Sequence, residues 1–279
     1  MTIAHKLSAT ELAVTSAALL AELRAKRPLV QAVTNFVSMD VAANALLALG
    51  ASPAMVHAPE EAEDFGAISN ALVVNIGTLS QSWIVGMEAA AAVAQKLGRP
   101  WVLDPVGVGA TRFRDAAVDR LLQFEPAVIR GNASEILSVA RIAGLSEDVA
   151  APKGVDSAHG TDVARASALA LARSRKCIVA ATGAVDLITD GERTIELANG
   201  SPLMAKVTAL GCALSGIVAA FAALSGDRFV ATAAAIAIYG VAGEMAGELA
   251  DRPGAFRVAF IDMLDAIGPD DIASRLKVV

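Results

Sequence analysis

The chain has 279 residues, of which 55% are hydrophobic, and a formal net charge of −6 at pH 7. This length is sufficient to bury a sizeable core. The acidic balance and the lack of a lysine- or arginine-rich cluster argue against a nucleic-acid or anionic-membrane surface, so we expect neither partner.

The high apolar content raises the question of a membrane-spanning helix. Residues 207–226 carry no charged side chain, and a second apolar run covers residues 229–243. Length alone allows a span, but both runs are rich in Ala, Gly, Ser and Val and lack flanking aromatic or basic clusters. We therefore expect no membrane segment.

Cysteine usage and the N-terminal pattern indicate a protein of the reducing cytosol. Cys177 and Cys212 lie far apart in the sequence, which predicts no disulfide framework and a cytoplasmic location. Ser8 and Glu11 have the spacing of a capping box at the start of an amphipathic helix. We expect this helix in place of a signal peptide.

Apolar runs of strand length alternate with Ala-rich, helix-prone stretches along the first two thirds of the chain. The predicted strands cover residues 29–33, 53–56, 71–76, 101–103, 127–129, 177–181 and 186–189. The predicted helices between them cover residues 40–49, 82–97, 115–122, 132–143 and 162–172. This alternation is typical of an α/β protein whose mostly parallel sheet has helices on both faces. Residues from 211 onward read as helices only, with breaks at 224–227 and 251–254, and we expect a single domain over residues 1–279.

Polar or glycine-rich residues follow most of the predicted strands. They are Thr34 and Asn35, His57, Gly77 and Thr78, residues 104–107, residues 130–132, and Thr182 with Gly183. Ligands of open parallel sheets bind at the carboxyl ends of the strands. We therefore expect these residues to gather along one edge of the sheet.

A glycine-containing turn at residues 206–212 runs directly into an Ala-rich helical pattern. The unpaired amides of a helix's first turn and the positive end of its dipole favour an anion at that point. Gly211 permits close approach, and Cys212 falls in the first turn, where the pKa of a thiol is expected to be lowered. The alternative is a buried helix start with an inert cysteine.

Asn132 and Glu135 also have two interpretations. Their spacing is that of a capping box, which would only start a helix. With Arg130 just before them and Asp104 at a neighbouring strand end, they could instead form a phosphate site. The arginine would hold phosphates, and the carboxylates of Asp104 and Glu135 would share a Mg²⁺ ion. No P-loop and no dinucleotide-binding glycine motif is present in the sequence.

Eight sequence blocks resemble the hydroxyethylthiazole kinases, which are members of the ribokinase-like superfamily. The resemblance runs from about residue 28 to residue 262, in the family's order and near its spacing. The blocks include VTNFV at 33–37, LDPVGVGAT at 103–111, IRGNASEI at 129–136 and KVTALGC at 206–212. The others are residues 44–55, 75–79, 154–157 and 181–183.

The resemblance implies a three-layer α/β/α fold and a specific reaction. In that reaction the γ-phosphoryl group of ATP is transferred, with Mg²⁺, to the primary alcohol of 4-methyl-5-(2-hydroxyethyl)thiazole in thiamine biosynthesis or salvage. It also implies a homotrimer with active sites between subunits. The implied contacts are Arg130, Asn132 and Thr182 with ATP, Asp104 and Glu135 with the metal, and Asn35, Met55 and Ala209 with the thiazole alcohol.

Cys212 stands where most ribokinase-like enzymes carry an aspartate base, so the resemblance implies that it orients the alcohol and accepts its proton. Phosphoryl transfer passes through a loose transition state and requires little early deprotonation, so the main demand on this residue is geometric. Two departures from the family pattern stand out. Ala209 replaces the usual glycine of the turn and would be strained at positive φ, and Asp40 replaces a common asparagine.

Two other enzymes of the same fold are alternatives. An ATP-dependent nicotinamide-nucleotide hydrate dehydratase usually keeps an aspartate at the position of Cys212. A hydroxymethylpyrimidine kinase is closer in chemistry, but Cys212 together with residues 33–35 favours the thiazole alcohol. A binding protein without catalysis is the non-enzyme alternative, and phosphorylation of any alcohol would exclude it.

Overall fold

The computed structural model of the protein describes residues 7–145 and 157–279, so the sequence block at 154–157 falls almost entirely outside it. Within these described ranges, eight strands form one sheet in the order β2-β1-β3-β4-β5-β6-β7-β8. Strands from β2 through β6 pair in parallel, and β7 and β8 are antiparallel. The strands are β1 Leu29–Val33, β2 Ser52–Ala54, β3 Ala71–Asn75, β4 Trp101–Asp104, β5 Val128–Asn132, β6 Ile178–Thr182, β7 Asp186–Thr189 and β8 Thr194–Leu197.

Helices cover both faces of this sheet, so the predicted three-layer α/β/α architecture is confirmed. One face carries α1 Ala9–Lys26, α2 Met39–Leu49, α8 Leu210–Ala222, α9 Arg228–Leu249, α10 Pro253–Ala266 and α11 Pro269–Arg275. The other face carries α3 Pro59–Ile68, α4 Gln81–Lys96, α5 Arg112–Leu121, α6 Ala133–Ile142 and α7 Ser157–Arg175.

The side chains of the central strands alternate between two hydrophobic cores. In β3, Val73 packs into the core under α8 and α9, whereas Leu72 and Val74 pack into the core under α4 to α7. A parallel strand covered on both faces must present apolar side chains in both directions. This is why the strands appear in the sequence as continuous apolar runs.

Among the α-helices and strands of the described residues, one helix and one strand were not predicted from the sequence. Helix α3 buries only Ala62 and Gly66 among its ten residues and carries several acidic side chains, so it shows little apolar periodicity. Strand β8 is a four-residue edge strand in which Thr194 and Glu196 are less buried than Ile195 and Leu197. Its signal is too short to be distinguished from a loop.

Helix α9 is the one helix in the described ranges that is long and apolar enough to cross a membrane by length and composition. In its most apolar window, 89% of the residues are buried inside the protein. The helix packs against α1, α8 and α10. Its apolar surface is therefore part of the core beside the sheet.

Candidate functional site

Three neighbouring strand ends are joined by a buried chain of hydrogen bonds. Asn35 follows β1, Asn75 ends β3 and Asp104 ends β4. The Asn35 Nδ2 donates to Asn75 Oδ1 at 2.8 Å, and the Asn75 Nδ2 donates to Asp104 Oδ2 at 2.6 Å. All three side chains are buried. The predicted gathering of polar residues at the carboxyl edge of the sheet is therefore confirmed for these strands.

The ends of β5 and β6 meet at the same edge. The Arg130 Nη2 donates to Thr182 Oγ1 at 2.5 Å, and Thr182 Oγ1 donates to the Gly131 carbonyl at 3.3 Å. The guanidinium also lies against the first turn of α8, because a Cβ atom at Gly211 would sit 3.0 Å from Arg130 Nη1. The absence of a side chain at Gly211 thus permits close approach of arginine and helix start.

Helix α8 begins at Leu210, and Cys212 is its third residue, as the sequence predicted. The first helical hydrogen bond joins Ala213 N–H to the Ala209 carbonyl at 2.9 Å, so the amides of residues 210–212 precede the intrahelical ladder. Ala209 has φ 69° and ψ 0°. Left-handed backbone costs a residue with a Cβ atom about 1–2 kcal/mol, so the departure from glycine falls at a strained position.

The expectation of a lowered Cys212 pKa is wrong. Burial raises the pKa of the Cys212 thiol, and the nearby Asp104 carboxylate acts in the same direction. A hydrogen bond from Asn35 Nδ2 to Cys212 Sγ at 3.4 Å and the positive charge of Arg130 oppose this shift without reversing it. The sequence shows the helix start but not the layers that cover it, so desolvation of the thiolate was missed.

Slow alkylation at neutral pH is the expected consequence of this raised pKa. Near pH 7, iodoacetamide should modify Cys212 more slowly than a cysteine in an unfolded peptide, and the rate should increase above pH 9, because the thiolate is the nucleophile. Cys177 is an internal control, since burial raises its pKa to about 12. Peptide mapping by mass spectrometry measures the alkylation of both cysteines. If Cys212 is alkylated at pH 7 faster than the cysteine of the unfolded peptide, the raised pKa of Cys212 is contradicted.

The Asp104 carboxylate is oriented on one side and unpartnered on the other. Its Oδ2 accepts from Asn75 and from Ser215 Oγ at 2.9 Å, whereas its buried Oδ1 has no hydrogen-bond partner among the described residues. Burial raises the pKa of Asp104 to about 6, Arg130 opposes the shift, and Glu135 adds to it. An unpartnered buried carboxylate oxygen is unfavourable by itself and suits a cation. The residues therefore fit a Mg²⁺ ion at this point.

Glu135 has a structural role that the sequence analysis anticipated. Its Oε2 accepts from Asn132 N–H at 2.8 Å, and Asn132 Oδ1 accepts from Glu135 N–H at 2.9 Å, which confirms the capping box of α6. Its Oε1 accepts from Gly107 N–H at 2.9 Å, which ties the loop after β4 to α6. Across the described residues, no group of three or more His, Cys, Asp and Glu side chains is suited to hold a metal. A Mg²⁺ ion here would need phosphate or water oxygens as further ligands.

A cavity of about 770 Å³ opens beside the turn. Arg130, Asn132, Thr182 and Gly211 line it, together with residues 198–202 and the apolar side chains of α8 and α9. The volume lies within the range of small-molecule and cofactor pockets. Cys212 instead faces Asn35. The first turn of α8 therefore has the cavity on its Gly211 side and Asn35 on its Cys212 side. The half-buried Met55 follows β2, which is the strand beside β1.

Asp186 also lines the cavity and was not assigned from the sequence. Its Oδ1 accepts from Gly183 N–H at 2.9 Å, which closes the turn between β6 and β7. Burial raises the pKa of Asp186 to about 6. Its position at the start of a predicted strand gave only a structural signal. Asp40, which departs from the family pattern, is exposed and pairs with Arg257 at 2.7 Å.

The raised pKa of Asp186 predicts a pH-dependent gain of stability in the Asp186→Asn variant. The amide keeps an acceptor for Gly183 and removes a desolvated charge, so the free energy of unfolding at pH 7 should increase by about 1–2 kcal/mol. In the wild type, the buried charge of Asp186 lowers the free energy of unfolding. Because the pKa of Asp186 is raised from 3.8 to about 6 in the folded state, this loss of stability is absent below pH 3.8, grows between pH 3.8 and about pH 6, and is constant at higher pH. Urea unfolding at several pH values measures this.

Asp190→Asn is a control of opposite sign. Hydrogen bonds from Arg193 hold the pKa of Asp190 below its ordinary value despite its partial burial. Its substitution should therefore lower stability at neutral pH and have progressively less effect as pH falls toward the folded-state pKa. If Asp186→Asn increased the free energy of unfolding by the same amount at every pH, burial of the Asp186 charge could not be the cause.

The chain is similar to known proteins along most of its length. A profile of the hydroxyethylthiazole kinase family matches residues 20–270. Hydroxyethylthiazole kinase from Cereibacter sphaeroides is 55% identical over 91% of this chain and 95% of that protein. A solved structure of hydroxyethylthiazole kinase protein from Pyrococcus horikoshii OT3 superposes with a TM-score of 0.87 at 39% identity, covering 95% of this chain and 98% of that chain.

A ribokinase-like superfamily protein from Enterococcus faecalis V583 superposes with a TM-score of 0.57 at 14% identity, covering 86% of this chain and 87% of that chain. This similarity shows the shared fold alone, and it confirms the ribokinase-like architecture. The family profile and the relatives above cover most of the chain at substantial identity. The chain therefore belongs to the hydroxyethylthiazole kinase family.

Proposed function

We propose that the protein transfers the γ-phosphoryl group of ATP to the hydroxyl of 4-methyl-5-(2-hydroxyethyl)thiazole. The observation that carries this proposal is the open first turn of α8. Its amides lie between a nucleotide-sized cavity on one side and the Asn35–Asn75–Asp104 chain on the other. The names of the relatives support the choice of alcohol.

ATP would occupy the cavity with its phosphates at the helix start. The free amides of residues 210–212 and the positive end of the α8 dipole favour phosphate oxygens there. Arg130 lies against the same turn and can donate to two phosphate oxygens in its planar fork. Asn132 and Thr182 line the cavity beside it and would contact the nucleotide.

Asp104 and Glu135 would hold a Mg²⁺ ion. When bound, such an ion would supply positive charge that offsets the negative charge developing on the phosphate during transfer. The protein's contribution is orientation: Asn75 and Ser215 engage Oδ2 of Asp104 and leave Oδ1 for the cation. Glu135 keeps the loop after β4 in place through Gly107.

The alcohol would lie on the Cys212 side of the turn, beside Asn35, Met55 and Ala209. Its oxygen bonds to the γ-phosphorus, the bond from that phosphorus to the bridging oxygen breaks, and ADP leaves. Cys212 orients the hydroxyl. Its raised pKa keeps Cys212 a thiol near neutral pH, so its main role is to orient the hydroxyl. The proton of the alcohol leaves late in the reaction, either to the minor thiolate form of Cys212 or to solvent water.

We also propose a homotrimer with active sites between subunits, acting as a single kinase domain over residues 1–279 in the cytoplasm. Phe36 and Val37 support this assembly, because they follow the site residue Asn35 and are 66% and 56% exposed. Light scattering should give three times the chain mass of 28.4 kDa. A monomer at micromolar concentration would contradict the assembly. The product would supply the phosphorylated thiazole half of thiamine.

The test of the reaction is product identification with purified protein, Mg-ATP and the thiazole alcohol. We expect ADP and a thiazole phosphate monoester in equal amounts, as measured by mass spectrometry and ADP quantification. The Asp104→Asn variant controls for a contaminating kinase. ADP release without the monoester from folded protein would contradict the proposal.

A further inference from the structure

The turn that begins α8 contains a residue in an unfavourable backbone conformation. Ala209 has φ 69°, in the left-handed region that favours glycine, and no side-chain hydrogen bond caps the helix there. A residue of this kind persists only where surrounding contacts determine its conformation, and such residues cluster at functional sites. The contacts around this turn therefore hold Ala209 in its left-handed conformation.

One such contact comes from the buried helix α9. The Tyr239 hydroxyl donates to the Leu210 carbonyl at 2.6 Å, and Leu210 directly follows Ala209. Tyr239 is 2% exposed, and its ring makes an edge contact with Phe260 at a centroid distance of 4.8 Å. Burial raises the pKa of Tyr239, so the phenol remains protonated and can only act here as a donor.

The same tyrosine forms part of the wall of the cavity, which Leu210 and Gly211 also line. Its hydroxyl therefore acts at the point where the cavity meets the free amides. A short hydrogen bond from a fixed, desolvated donor restrains a carbonyl strongly, since the alternative is an unpaired buried hydroxyl. Moving the Leu210 carbonyl would rotate the peptide groups on either side of it.

We propose that Tyr239 is a positioning residue that keeps the Ala209–Leu210 turn in its strained form and thereby directs the amides of residues 210–212. The effect on catalysis rests on the proposed function, because phosphate binding at those amides is part of that function. The effect on the turn does not depend on it, since it follows from the backbone strain and the hydrogen bond.

Glycine at position 209 separates this role from ordinary packing. With alanine, loss of the Tyr239 hydroxyl lets residue 209 relax toward a more favourable φ and the turn changes shape. Glycine has no preference against positive φ, so the turn can keep its form without the hydroxyl. The substitutions Tyr239→Phe and Ala209→Gly should therefore be non-additive, as expected for residues that share one structural element.

The experiment compares wild type, Tyr239→Phe, Ala209→Gly and the double variant, by urea unfolding and by kcat and KM for ATP. We expect Tyr239→Phe to lower kcat about tenfold with alanine at 209 and less than about threefold with glycine. The urea midpoint should fall with Tyr239→Phe and recover in part in the double variant. Ala209→Gly alone gives the reference kcat against which the double variant is compared.

Phe260→Leu provides a control within the same aromatic pair. It removes packing around Tyr239 but no hydrogen bond, so its loss in urea midpoint should be equal with alanine or glycine at position 209. The proposal would be overturned if Tyr239→Phe lowered the urea midpoint by the same amount with alanine and with glycine at position 209, or if it lowered the midpoint in neither protein. If the protein phosphorylates no alcohol, but the effect of Tyr239→Phe on the urea midpoint still depends on the residue at position 209, only the proposed function is contradicted.

Discussion

Replacement of Cys212 by alanine is expected to lower kcat by about 10²–10³-fold while KM for ATP changes less than about threefold. The thiol lies on the side of the turn that faces Asn35, whereas Gly211 and Arg130 line the cavity on the other side. Loss of the side chain therefore removes the group proposed to orient the alcohol and leaves the proposed ATP contacts in place. Steady-state kinetics with both substrates varied measures the two effects separately.

Cys212→Asp is the matched variant for this prediction. An aspartate restores a hydrogen-bonding group at the third residue of α8 and supplies a proton acceptor, so activity should stay within about tenfold of wild type. Circular dichroism and urea unfolding confirm that both variants fold. Equal loss of kcat in Cys212→Ala and Cys212→Asp, with folding intact, would show that residue 212 does not act through orientation of the alcohol.

The second large effect is expected for Asp104→Asn, which should reduce kcat by about 10³-fold or more. The substitution keeps the size of the side chain and an acceptor for Asn75 and Ser215, but it removes the negative charge proposed to hold Mg²⁺. Metal ions contribute several kcal/mol of transition-state stabilisation in phosphoryl transfer, which corresponds to this range. Kinetics over a range of Mg²⁺ concentrations measures the change.

Ser215→Ala separates the metal proposal from simple disturbance of the site. It removes one hydrogen bond to Oδ2 of Asp104 and leaves the unpartnered Oδ1 unchanged, so kcat should fall less than about tenfold. ATP affinity measured in EDTA should be the same in Asp104→Asn and wild type. A metal-free affinity that falls together with kcat in Asp104→Asn would indicate that the carboxylate acts on the nucleotide site itself.

Much of the fold was predictable because its determinants are local. Apolar runs mark strands covered on both faces, and the observed bounds of β1 and β7 agree with the prediction. The carboxyl ends of parallel strands must lie on one edge, so Asn35, Asp104 and Arg130 could be grouped without coordinates. Helix α3 and strand β8 were missed because an acidic exposed helix and a short edge strand carry little periodic signal.

Features of the site that depend on long-range packing could not be predicted. The pKa of Cys212 is set by burial and by Asp104, which is distant in sequence. Ser215 reaches Asp104 across 111 residues, and Tyr239 reaches the Leu210 carbonyl across 29. Nothing in the local patterns around those residues indicates their partners. The strain at Ala209 was anticipated only because the resemblance indicated a glycine there.

Phosphorylation of the thiazole alcohol at this site can be tested in a competition in which purified protein and Mg-ATP are given the thiazole alcohol and hydroxymethylpyrimidine together. We expect the thiazole phosphate to dominate, with a ratio of kcat/KM values of at least about 10²-fold. Pyrimidine phosphate as the main product, or neither phosphate from folded protein, would contradict it.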